Sequence, residues 1–245
     1  MKTETFRTFV FVLILAFATT AFAGDFSKLS FIGFSNSGRY LAFEEYGTQD
    51  GSGFPFSTIY FIDTTKNAFA APVTKVVVED EMGLESTARA RSAALAAKKL
   101  KQFGIVRGNT GNIVVSHQLT DLTFQGDVGA KAETSVKFAE EMWSMHQEGE
   151  YELVLNPIKV TTKDCEPYGY DIFMMELKLT DKMGDGKTKF LQKDTSLPAS
   201  SGCVMSYRIQ DVYLYKGTIA VFMSFNTPGF EGPDMRFMAA TGKLK

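Results

Sequence analysis

Residues 28–63 read KLSFIGFSNSGRYLAFEEYGTQDGSGFPFSTIYFID. KLSFIGFS alternates apolar and polar positions and breaks at Asn36-Ser37-Gly38, residues that favour a tight turn. RYLAFEEYG is aromatic and apolar before it turns charged. TQDGSGFPFS carries two glycines and a proline, so it reads as a loop. TIYFID is a short β run, and Asp63-Thr64-Thr65-Lys66-Asn67 is the next turn. The order is therefore strand, turn, strand, loop, strand, which is the start of an antiparallel sheet.

The rest of the chain repeats this grammar. PVTKVVV at 72–78 is a further strand. NIVVSHQL, YELVLNPIKVT, DIFMMELKLT, VMSYRIQDVYLY, TIAVFMSF and MRFMAATG alternate or are rich in β-branched and aromatic residues. Turn clusters such as TKDCEPYGY, LPASSGC and NTPGFEGPD separate them. Many short strands at this spacing indicate an antiparallel, mainly β body. SVKFAEEMWSM reads equally as a strand or a short helix. An aromatic content of 13% suits strands. The fold class is mainly β, antiparallel sheets arranged as a sandwich or a partial propeller-like unit.

One substantial helix interrupts the strands, near 82–103. LESTARARSAALAAKKLKQFG is rich in good helix formers. Acids at Glu79, Asp80, Glu81 and Glu85 precede or open it, and Lys98, Lys99 and Lys101 close it, matching the helix dipole. Gly104 is the expected C-terminal cap. Leu84, Ala88 and Leu95 fall on one face and are the expected docking patch. Leu100 and Phe103 lie off that line.

Residues 1–23 are expected to be a signal peptide. Lys2, Glu4 and Arg7 give a net positive start, an apolar run follows, and Ala21-Phe22-Ala23 is a small-x-small cleavage site. The run from Phe9 to Ala18 falls short of the about 20 apolar residues that a membrane span needs. Residues 24–245 are then a single secreted domain, periplasmic or released, not membrane-spanning after cleavage. With 26 basic against 28 acidic residues the chain lacks the basic surface that nucleic acid demands. The two cysteines, Cys165 and Cys203, form an even count in an exported chain, which favours a disulfide. Two separate buried thiols, or a redox pair, are the alternatives.

Catalytic motifs are weak. The histidines, His117 and His146, are far apart, and no C-x-x-C or H-x-x-x-H spacing offers a zinc site. No G-x-S-x-G elbow is present. DKMGDGKT at 181–188 lacks the leading glycine of a P-loop, where Asp181 stands. It also lacks the ligands of an EF-hand at Met183 and Gln192. It reads as a polar hairpin turn. No metal or cofactor is expected.

Acids do gather at two Gly/Pro loops: Glu44, Glu45 and Asp50 near the first, and Glu231 and Asp234, with Arg236, near the second. If the two hairpins are neighbours, these residues form one polar cleft. Such a cleft suits a binding loop for an envelope protein or a small ligand. The alternative is a hydrolase that uses paired carboxylates.

Two resemblances follow from these stretches. Phe34, Ser35, Gly38, Ala42, Phe43, Ile59, Tyr60 and Asp63 resemble one repeat of TolB-like and WD40-like propellers, with Ser37 at the position usually held by Asp. A propeller array repeats at about 40 residues, and a single clear copy is present. GRYLAFEEYGTQDGSGFPFSTIYFID, together with GFEGPDMRFMA, resembles a family of predicted bacterial secreted proteins whose domain has no known function. That resemblance implies export and supplies no catalytic residues.

Overall fold

The computed structural model describes residues 24–117, 134–140, 150–184, 186–230 and 232–245. The expected signal peptide lies outside them. Thirteen strands and one helix are described: β1 Lys28–Phe34, β2 Tyr40–Thr48, β3 Pro55–Asp63, β4 Ala68–Phe69, β5 Thr74–Val77, α1 Glu85–Gln102, β6 Asn112–Ser116, β7 Thr134–Phe138, β8 Tyr151–Val160, β9 Ile172–Asp181, β10 Thr188–Lys193, β11 Ser206–Tyr215, β12 Thr218–Pro228 and β13 Pro233–Lys243.

They form three antiparallel sheets. The first runs β1-β2-β3-β4, with β5 also paired to β3. The second runs β10-β9-β8-β7 and the third β13-β12-β11-β6. None closes into a barrel. The opening stretch, 28–63, is the β1-β2-β3 meander of the first sheet. Its first turn closes through the Gly38 N–H to the Ser35 carbonyl, with Gly38 at φ 74°, where a side chain would be strained.

The core explains the layering. β12 is buried on both faces, and its alternation divides two hydrophobic clusters. Ala220 and Phe222 join Phe34, Leu41, Phe43 and Phe237 between the first and third sheets. Ile219, Val221 and Met223 join Leu153, Leu155 and Leu177 between the second and third sheets. Strand period two makes this possible, because successive side chains point to opposite faces. The order of layers is helix, first sheet, third sheet, second sheet. This is face-to-face packing of the sandwich kind, and residues 33–63 supply the end of β1 with β2 and β3, the body of its first sheet.

α1 lies on the outer face of the first sheet, and its docking face differs from the expected one. Leu84 and Leu95 are each 65% exposed. The buried residues are Ala88, Ser92, Ala96 and Leu100, spaced by four. Small side chains let the helix approach the sheet closely, so Ala96 and Leu100 pack with Ile32, Ala42, Ile59 and Phe61. The helix ends as expected at Gly104, φ 63°, in the left-handed region.

Other expectations fared variously. SVKFAEEMWSM begins as β7, and its later residues lie outside the described ones, as does His146. DKMGDGKT is a hairpin turn: the Asp181 carboxylate accepts the N–H groups of Met183 (3.1 Å) and Gly184 (2.7 Å). β10 was not legible as a strand, because TKFLQK is short and lies between two turn clusters. Cys165 and Cys203 form a disulfide, with Cα atoms 5.7 Å apart.

Candidate functional site

Glu44 and Glu45 are neighbours on β2 and therefore face opposite ways. Leu41, Phe43 and Glu45 point toward the third sheet; Ala42 and Glu44 point toward α1. Glu44 is held there. Arg89 of α1 donates to it from Nε (3.1 Å) and Nη2 (2.9 Å), and Ser57 Oγ donates at 2.9 Å. Ser57 also meets Ser92 at 2.6 Å, and the Arg89 guanidinium lies 3.9 Å from the Tyr46 ring centroid. Glu44 is thus part of the helix-to-sheet joint.

Glu45 enters a different cluster. It is 2% exposed. Ser27 Oγ donates to its Oε1 at 2.7 Å and Tyr60 OH to its Oε2 at 3.1 Å. Arg236 Nη1 lies 3.6 Å from Oε1 and donates to Ser27 Oγ at 2.8 Å. Burial raises the Glu45 carboxyl above the usual glutamate range; Ser27, Arg236, Tyr60 and the Phe237 N–H oppose that shift. The Tyr60 phenol is pushed well above its ordinary value by burial and by the Glu45 charge.

Arg236, on β13, is the centre of this cluster. Its Nη2 donates to Asp25 Oδ2 at 2.6 Å and lies 4.0 Å from Asp234 Oδ2, and its guanidinium lies 5.1 Å from the Phe56 ring centroid. Asp25 ties three segments together. Its N–H donates to Asp234 Oδ1 at 2.9 Å, its Oδ1 accepts the Asp50 N–H at 2.7 Å, and its carbonyl accepts the Met235 N–H. Residues 25–27 thus lie alongside the start of β13. They pass so close to Gly47 that a Cβ there would sit 2.8 Å from the Phe26 carbonyl oxygen, which is why a glycine stands at that position.

Of the residues expected to form one polar cleft, Glu45, Asp234 and Arg236 come together. Asp50 joins them through its backbone N–H and not its carboxylate. Glu44 does not join them, because the strand turns it to the other face. Glu231 lies outside the described residues. Sequence reasoning missed Asp25, Ser27 and Tyr60. Tyr60 was findable in principle, since a β2–β3 hairpin brings it to the same face as Glu45. Asp25 and Ser27 carry no local signal, because their partner β13 lies some two hundred residues away.

Beside this cluster a cavity of about 550 Å³ opens between the first and third sheets. Phe56, Thr58, Tyr60 and Ile62, alternate residues of β3, form one wall with Phe43 and Glu45. Arg236 to Ala239 of β13 form the other. Pro198, Ser200 and Ser201, from the segment between β10 and β11, close it. That segment is anchored by the Cys165–Cys203 disulfide and by Leu197, packed with Ile172 and Met205.

The polar floor is saturated with internal hydrogen bonds, and a guanidinium lies between Glu45 and Asp234. The arrangement orients and neutralises, with the Arg236 guanidinium 3.6 Å from the Glu45 carboxylate and 4.0 Å from that of Asp234. Among the described residues no group of three or more His, Cys, Asp or Glu side chains is placed to hold a metal ion. Among them, too, no helix is long and apolar enough to cross a membrane.

No curated protein matches the chain. The family described as Predicted secreted protein (DUF2259) matches residues 42–243, a span that takes in every residue lining the cavity. The chain belongs to that secreted family, whose function is unknown.

Proposed function

We propose that this secreted protein is a non-enzymatic binding module that takes a small ligand in the cavity between its first and third sheets. One observation carries the reading. The cavity has the size of a ligand pocket, walls that mix aromatic and polar side chains, and a cluster of mutually fixed polar groups at one end. Glu45, Tyr60, Ser27 and Arg236 hold one another in place, so the floor is set before any ligand arrives. Preorganisation of this kind lowers the entropic cost of binding. Hydrolysis by loop carboxylates draws less support, since Arg236 stands between Glu45 and Asp234.

The test is to fill the cavity. Thr58→Trp places a large ring on its wall. A panel of small organic molecules is screened by thermal shift against the parent and the filled variant, with circular dichroism confirming the fold of each. Ligands that raise the parent melting temperature are expected to lose their effect in the variant. Shifts that survive the filling would place the binding elsewhere.

A further inference from the structure

The walls of the cavity say more about what fits there than its floor does. Three residues lie in a row across the first sheet: Glu45 on β2 pairs with Thr58 on β3, and Thr58 pairs with Lys75 on β5. Directly paired residues share a face, and all three line the cavity. The two ends of the row differ in charge and in company. Glu45 is enclosed by Ser27, Tyr60 and Arg236. Lys75 is exposed at the mouth, and among the described residues its ammonium makes no ion pair or hydrogen bond. The other cation on the wall, Arg236, is already engaged by Asp25, Ser27 and Glu45. Lys75 is therefore the cation on the cavity wall that is open to an incoming anion.

The apolar side has an equally definite shape. Phe43 and Tyr60 stack, with centroids 4.6 Å apart and planes 11° apart. Tyr60 and Phe69 continue the row at 6.1 Å and 25°. The row ends on Phe69, which is 51% exposed and lines the cavity mouth; Val73, 40% exposed, stands beside it there. An aromatic row that ends on an open ring face invites another flat ring, because offset stacking adds to the gain from burial. Phe69 pairs with Ile62, and Lys75 with Thr58, four residues earlier on β3. At about 3.3 Å per residue they stand about 13 Å apart along that edge, a span that a two-ring body and a lysine stem bridge together.

Resting on the binding reading above, we propose that the cavity takes a flat aromatic organic acid, its rings against Phe69 and Val73 and its carboxylate on the ammonium of Lys75. Electrostatic complementarity then selects the charge of the ligand, and the aromatic row selects its shape.

Isothermal titration with three probes of one shape tests this: naphthoate, neutral naphthylmethanol and cationic naphthylmethylammonium. Naphthoate is expected to bind best. Lys75→Met is expected to weaken naphthoate about ten-fold and leave naphthylmethanol unchanged, with Lys75→Arg restoring most of the loss, as a charge-assisted hydrogen bond predicts. Phe69→Ala is expected to weaken all three. If naphthylmethanol or the ammonium binds as tightly as naphthoate, or Lys75→Met changes nothing, the acid assignment is overturned while the cavity remains a binding site. If none of the three probes binds, the proposal falls, and the thermal-shift panel decides whether the binding reading falls with it.

Discussion

The two faces of β2 carry adjacent carboxylates with unlike tasks. On one face Glu44 meets Arg89 and Ser57 and joins α1 to the first sheet. On the other, Glu45 meets Tyr60, Ser27 and Arg236 at the end of a cavity. Both are buried and both are hydrogen-bonded, as buried charges must be. The difference lies in what surrounds them. The Glu44 face is closed by a helix pressed against it through Ala88, Ser92 and Ala96. The Glu45 face is left open where the first and third sheets diverge. A buried charge alone therefore does not mark a site; an adjoining space is needed as well.

The strongest way to break this comparison is Arg236→Ala. It leaves Asp25, Glu45 and Asp234 around an empty position, and removing one partner of a buried ion pair costs about 3–5 kcal/mol. Urea unfolding should show a loss of that order together with loss of ligand-induced stabilisation. A stable variant that still binds would mean that Arg236 does not organise the floor.

Glu44→Ala should cost less, about 2–3 kcal/mol, because Arg89 keeps access to water once its partner is gone. The loss should appear in unfolding, with ligand affinity unchanged. A change in affinity would show that the two faces are coupled and not separate.

Glu45→Gln separates them by pH. The folded-state pKa of Glu45 is raised, chiefly by burial. Its protonated form is thus favoured in the folded protein, and the associated stability is fully present below the ordinary glutamate value of 4.5 and is lost as pH rises through the raised folded value. The stability of Glu45→Gln relative to the parent should therefore improve as pH climbs above that ordinary value. A flat difference between the parent and Glu45→Gln across the same range would remove burial as the dominant influence on Glu45.

The smallest effect is expected on the outer face of α1. Leu95→Ser should change stability by no more than about 0.5 kcal/mol, as exposed substitutions usually do. Its neighbour Ala96, fully buried, should not tolerate Leu, since overpacking costs about 1–3 kcal/mol. Equal effects at the two positions would contradict the helix orientation.

The helix itself was legible from composition and charge, yet its buried face was not. The eye is drawn to Leu84 and Leu95, whereas the sheet selects the small residues that permit close approach. The strands were legible wherever an alternating or apolar, β-branched and aromatic run was long enough, as in TIAVFMSF, and failed at TKFLQK, where six residues between turns give too little pattern. The disulfide followed from two cysteines in an exported chain. The acids of the two loops were expected to meet in one cleft; the structure places Glu45, Asp234 and Arg236 near one another and turns Glu44 to the opposite face, because adjacent strand residues point opposite ways.

By itself the sequence determined the mainly β class, the helix near 82–103, and the resemblance to a family of predicted secreted proteins. These rest on local causes: side-chain period, turn chemistry, propensity and charge along short stretches. Only the tertiary structure decided that the strands fall into three sheets, that β12 serves two cores, and that Asp25 and Ser27 reach Arg236 across the chain. It alone placed Thr58 and Lys75 beside Glu45 on a common wall. Those relations depend on which distant strands pair and which faces bury, a choice made by the whole set of packing and hydrogen-bonding demands and encoded in no single segment.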